Sequence, residues 1–85
     1  MKTKVLVELL VPEIGEKYSV YLPSNKKIGT ILILLNKALN EMTGGEYPIS
    51  ETNLLVNSEN GVIYSKDSML IDTDIRNDSK LSIIQ

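Results

Sequence analysis

With 85 residues, nine Lys and Arg against eleven Asp and Glu, and a net charge of −2, the chain is the size of one small domain, which buries roughly 60–65% of the unfolded surface. It contains no Cys and no His, which excludes a disulfide framework, a thiolate metal site, the commonest general base and the commonest metal ligand. The near-balanced charge leaves no basic face for nucleic acid, and the longest uninterrupted apolar run, Ile31 to Leu35, falls far short of the roughly 20 residues that span a membrane.

Lys2 and Lys4 precede an apolar stretch that Glu8 interrupts, with no small-residue cleavage site after it. No secretory leader is therefore expected, and a single domain over residues 1–85 is expected in the cytoplasm. Residues 2–11 alternate as a strand does: Val5, Val7, Leu9 and Val11 share one face, and Lys4, Leu6, Glu8 and Leu10 share the other. Pro12 ends that strand, and Gly15 is free to take a positive φ in the turn that follows. A second strand at 17–22 places Tyr18, Val20 and Leu22 on one face and Ser19 and Tyr21 on the other, and the short loop makes the two a hairpin. Pro23-Ser24-Asn25 punctuates the chain, with Asn25 the expected helix N-cap and Ser24 the alternative.

The helix is predicted over residues 28–42. At a turn of about 100° per residue, Ile28, Ile31, Leu32, Leu35, Leu39 and Met42 fall on one face. Gly44-Gly45 stops it, and Tyr47, preceding Pro48, is extended. A third strand fits 53–57, Asn60-Gly61 marks a hairpin, and Val62-Ile63-Tyr64 reads as a short returning strand. An irregular stretch over 69–75, anchored by Leu70 and Ile75, leads to the last strand at 80–84, where Leu81 and Ile83 face one way. The order β-β-α-β-β-β, with one apolar helix stripe that a single sheet must cover, is a β-grasp arrangement of the α+β class. It predicts a mixed sheet of four to five strands packed on one helix, with the last strand central and parallel to the first.

The segment from Leu70 to Ile84 carries Leu70, Asp72, Ile75, Ser79, Leu81 and Ile83, and it resembles the closing segment of ubiquitin-like proteins, Leu-x-Asp-x-x-Ile-x-x-x-(Ser/Asp)-x-Leu-x-Leu. The leading hairpin and the Leu22-Pro23-Ser24 approach to the helix are similar as well. Among bacterial members the chain most resembles the EsaB/YukD group, small ubiquitin-like proteins encoded with type VII secretion systems in Firmicutes. Where those proteins often have Asp-Gly-Asp before the last strand, this chain has Asn77-Asp78-Ser79. The resemblance implies a ubiquitin-like fold and a non-catalytic adaptor or regulator of type VII secretion that acts by binding another protein. The alternative is a small ubiquitin-like subunit of a multicomponent enzyme such as a bacterial monooxygenase.

Sulfur carriers and protein modifiers of this fold work through a flexible C-terminal Gly-Gly carboxylate. Here the sequence runs from the last predicted strand to Ile83-Ile84-Gln85, which disfavours that chemistry. The Asp72–Asp78 loop resembles a calcium loop only superficially, because Arg76 stands where an oxygen ligand is required and no Gly or closing Glu follows. Serines are plentiful, but no His exists to activate one. No catalytic residue, cofactor or metal is therefore expected.

What remains is binding. Ile33 lies opposite the core stripe and Leu34 on its flank, and the sheet face away from the helix leaves Leu6, Leu10 and Tyr21 uncovered. Together these predict a partner surface or a homodimer contact. Lys26 and Lys27 at the helix start form a second candidate, an anion patch made from two ammonium groups and free helix amides.

Overall fold

The computed structural model describes residues 3–85. Strand β1 (Lys4–Val11) and strand β2 (Glu16–Pro23) flank a one-turn 3-10 helix at Pro12–Ile14, and helix α1 (Ile28–Met42) follows. After it come β3 (Leu54–Asn57), a second one-turn 3-10 helix (Leu70–Asp72) and β4 (Lys80–Ile84). Lys2, which begins the first predicted strand, lies outside the described residues. The sheet order is β2-β1-β4-β3. β4 runs parallel to β1 and antiparallel to β3, so the last strand is central and the sheet is mixed, as the crossover through the helix predicts.

The hairpin closes as its residues require. Gly15 takes φ 65° and donates to the Pro12 carbonyl at 3.1 Å. The alternation then sorts the faces: Val7, Leu9 and Val11 are buried with Leu22, Leu55, Leu81 and Ile83 in one core. Leu9 sits beside Leu81, and Leu55 beside Ile83, which places the longest side chains of three strands under the helix. Leu70 and Ile75 anchor the irregular segment in the same core. Burying each such aliphatic side chain contributes about 1.5–3 kcal/mol.

Five of the six predicted helix residues are buried, but Met42 is 57% exposed. The helix face instead buries Asn36. At that end of the helix the buried apolar side chain is Tyr47, returned there by the turn through Gly44 and Gly45, whose φ values are 62° and 89°. Gly45 N–H donates to the Asn40 carbonyl at 2.8 Å, so the two glycines do end the helix.

The N-terminus differs from expectation. Lys27, not Asn25, occupies the cap position, and no side chain caps the helix. The first amides are met by backbone instead: Ile28 N–H donates to the Ser68 carbonyl and Gly29 N–H to the Lys66 carbonyl, each at 2.9 Å. Leu70 and Ile71 N–H return the favour to the Lys26 and Ser24 carbonyls. The segment 66–71 is thereby laced to the helix start, and an Asx cap is unnecessary.

The predicted strand at Val62–Tyr64 reduces to a single bridge, Val56 to Ile63. Asn57 N–H donates to the Val62 carbonyl and Tyr64 N–H to the Leu55 carbonyl, after which the chain departs to bury Tyr64. The Asn57 side chain holds the turn by accepting from the Glu59 and Asn60 amides. The sheet therefore has four strands. Before β4, Asp78 adopts φ 71°, the left-handed conformation for which glycine is the usual residue and which Asp tolerates. It is the position where the Asp-Gly-Asp pattern has its glycine.

Candidate protein-binding surface

The outer flank of α1 presents Ile33, 70% exposed, and across a groove of about 570 Å³ stands Ile49, 61% exposed. The helix forms one wall. The connector leading to β3 forms the second, and the loop carrying Lys66 and Asp67 forms the third.

Each wall is fixed by identifiable bonds. Asn36 and Asn53, both buried, exchange side-chain amide bonds: Asn36 Nδ2 donates to Asn53 Oδ1 at 3.1 Å and Asn53 Nδ2 to Asn36 Oδ1 at 2.9 Å. Ser50 N–H also donates to Asn36 Oδ1, at 2.9 Å, so the helix grips the connector one residue from Ile49. Asn53 Nδ2 reaches the hydroxyl of buried Tyr47, and that hydroxyl also accepts from Gln85 Nε2. On the third wall, Lys66 Nζ donates to the Glu51 carbonyl at 3.3 Å. Gly29 permits the close approach of that loop, since a Cβ there would lie 3.2 Å from the Lys66 carbonyl oxygen.

The lining combines an exposed aliphatic pair with the ionisable side chains of Lys27, Glu51, Lys66 and Asp67, all of them exposed. Such a surface offers apolar burial and rim hydrogen bonds, the ingredients of a protein contact. Among the described residues no group of three His, Cys, Asp or Glu is placed to hold a metal ion. The residue whose titration is most clearly altered lies elsewhere. Burial, and then the hydrogen bond to Asp74, push the Tyr64 hydroxyl above its ordinary pKa of 10.0.

The predicted surface residues do not form one patch. Ile33 lines the groove, whereas half-exposed Leu34 lies outside it. Lys27 lines the groove and Lys26 does not. The Ile28 and Gly29 amides, on which an anion patch at Lys26 and Lys27 would draw, are committed to the Ser68 and Lys66 carbonyls. On the other side of the sheet, Leu6 and Tyr21 are cross-strand neighbours, with Tyr21 67% exposed and Leu6 half-buried. Leu10, further along β1, is separated from them by Glu8, whose carboxylate pairs with Lys17 at 3.2 Å. The helix set and the sheet set face opposite ways.

Two contributors escaped the sequence reading. Asn36 carried a signal, a polar residue between Leu35 and Leu39 inside the apolar stripe. Ile49 carried none, being a single aliphatic residue in a connector without periodicity.

One helix laid across a mixed four-stranded sheet, with the hairpin leading and the final strand central, is the ubiquitin-like β-grasp fold. Solved structures of the same fold include domains of type VII secretion proteins. The ubiquitin-like domain of the Mycobacterium tuberculosis type VII secretion protein EccD1 superposes with a TM-score of 0.73 and 14% identity, covering 99% of this chain and 100% of that one. The EccD5 ubiquitin-like domain from Mycobacterium xenopi gives a TM-score of 0.77 and 13% identity over 98% of this chain and 94% of that domain. A chain of the ESX-5 inner membrane complex, solved free of MycP5, gives 0.78 and 21% identity over 98% of this chain; the match spans 21% of that longer chain. No family model and no curated protein matches the sequence.

Proposed function

We propose that this chain is a non-catalytic ubiquitin-like adaptor of a type VII secretion system. It works in the cytoplasm by binding a protein component of that system along the outer flank of α1. The observation that carries the proposal is the pair Ile33 and Ile49, exposed on facing walls of one groove. A rigid wall on each side, pinned through Asn36, makes an apolar anchor site whose shape does not have to be ordered on binding. The similarity in fold to EccD domains and to a chain of the ESX-5 inner membrane complex supports secretion as the setting. Among the described residues no helix is long and apolar enough to cross a membrane.

The test removes the gene from its host and measures export of type VII substrates. Export is expected to fall, to recover with the wild-type gene, and to stay low with an Ile33→Asp/Ile49→Asp variant whose circular dichroism and urea midpoint match wild type. Undiminished export without the gene would overturn the secretion reading. Full rescue by the double variant would overturn the assignment to this groove.

A further inference from the structure

The sheet has two edges, and they are not equivalent. The β3 edge is partly occupied, because Ile63 bridges Val56 and the flanking Asn57 and Tyr64 amides bond across to the same segment. Among the described residues nothing pairs the outer edge of β2.

The register fixes which groups that edge displays. Ser24 N–H donates to the Thr3 carbonyl at 2.8 Å, so Thr3 and Ser24 form a hydrogen-bonded pair of the β1–β2 ladder. Antiparallel pairs alternate, so Leu22, Val20, Tyr18 and Glu16 turn their amides to β1, while Lys17, Ser19 and Tyr21 turn theirs outward. The same parity appears on the far side of β1, where Leu6 and Glu8 N–H bond toward Asn77 and Ser79. Pro23 falls in the outward set, where its missing N–H breaks no ladder bond.

We infer that β2 pairs antiparallel with β2 of a second copy of this chain about a two-fold axis at Ser19, joining the two sheets into one. The edge is self-complementary in that register. Ser19 meets Ser19, and Lys17 meets Tyr21 of the second copy, so each outward N–H faces an outward carbonyl. On the helix side, Tyr18 and Val20 are half-buried residues already packed on the core. The register sets Tyr18 against Val20 of the second copy, an aromatic–β-branched pair of the kind that stabilises sheets. On the other face, the exposed ring of Tyr21 lies against the Lys17 side chain of the second copy, whose ammonium also pairs with Glu8 of its own chain. No like charges are opposed, whereas a two-fold centred on Lys17 would oppose two ammonium groups.

One edge strand is narrower than the roughly 1,200 Å² at which stable interfaces begin, so association is concentration-dependent, half-complete on the order of 100 µM. This inference is independent of the secretion reading and is tested by sedimentation equilibrium of the purified chain from about 10 µM to about 1 mM, a range bracketing that estimate. The wild type is expected to shift from monomer to dimer. Tyr21→Lys, at an exposed position that leaves the core untouched, places lysine opposite lysine twice over and is expected to weaken pairing at least tenfold. Lys17→Glu/Tyr21→Lys, which turns both contacts into ion pairs, is expected to restore it. A wild type monomeric throughout, or a Tyr21→Lys variant that dimerises as well as wild type, overturns the proposal.

Discussion

Tyr64 links one part-buried hydroxyl to the pH dependence of stability. Its O–H donates to Asp74 Oδ1 at 2.7 Å and accepts from Asn57 Nδ2 at 3.2 Å, tying the segment after the Asn57–Gly61 turn to the loop before β4. Desolvation first, and the Asp74 hydrogen bond second, raise its pKa in the folded state above 10.0. The sign follows from proton counting: between 10.0 and the raised value the folded chain keeps a proton that the unfolded chain has lost. The contribution is therefore complete below pH 10.0 and declines as pH rises through that window to the folded value. Tyr64→Phe is expected to flatten the alkaline fall in urea midpoint between about pH 9 and 11. An equally steep fall in both proteins would show that other groups govern alkaline unfolding. At this scale the sequence was readable where a residue's type dictates one environment. Leu70 and Ile75 read as anchors and Leu81 and Ile83 as one strand face, and all four lie in the core. Asp78 was not readable, because its left-handed φ depends on how the Asn77–Asp78 turn meets Leu6, whose carbonyl accepts from Asp78 N–H at 2.8 Å.

At the scale of elements, periodic signals were legible and polar ones were not. The strand faces and five of the six stripe residues of α1 follow from spacing, since burial of a stripe needs no knowledge of its neighbour, and Gly44-Gly45 marks where the helix ends. The helix N-cap was not legible, because carbonyls of Lys66 and Ser68, distant in sequence, do what Asn25 was expected to do. The connector over residues 43–53 forms no helix or strand beyond the turn that ends α1. It is held through Asn40, Thr43 and above all Asn36, which bonds the Leu32 carbonyl, Asn53 and the Ser50 amide at once. Such a residue looks unfavourable in a helical stripe until its partners are seen. Asn36→Ala takes the donor from buried Asn53 Oδ1 and the acceptor from the part-buried Ser50 N–H, leaving Asn53 Nδ2 only the Tyr47 hydroxyl, and is expected to cost about 2–4 kcal/mol. Urea unfolding measures that loss, and amide exchange at Ser50 and Asn53 should accelerate more than at Leu9. A loss below about 1 kcal/mol would mean that water replaces the Asn36 side chain without penalty.

For the molecule as a whole, the topology decides which parts can open alone. β1 and β4 each have a strand on both sides, and they join the two ends of the described chain. Neither can leave without exposing Leu9, Leu81 and Ile83, all essentially inaccessible to solvent. β2 and β3 lie at the edges, and the segment 58–79 contains no strand and only the one-turn helix at Leu70–Asp72. Cooperative units of this kind unfold at free energies ranging from near zero up to the global value. Amides of Leu9 and Ile83 are accordingly expected to exchange only by global unfolding. A domain stable by about 5–10 kcal/mol would protect them by factors on the order of 10⁴ to 10⁷. The outward amides of Lys17, Ser19 and Tyr21 should exchange almost freely in dilute solution, below the concentrations of the proposed strand pairing, while the inward amides of Tyr18 and Val20 are protected. That alternation is the direct reading of the ladder parity set by the Ser24–Thr3 bond. Uniform protection along β2 in dilute solution would contradict the parity, and β4 amides exchanging ahead of the inward amides of β2 would contradict the central place of the last strand.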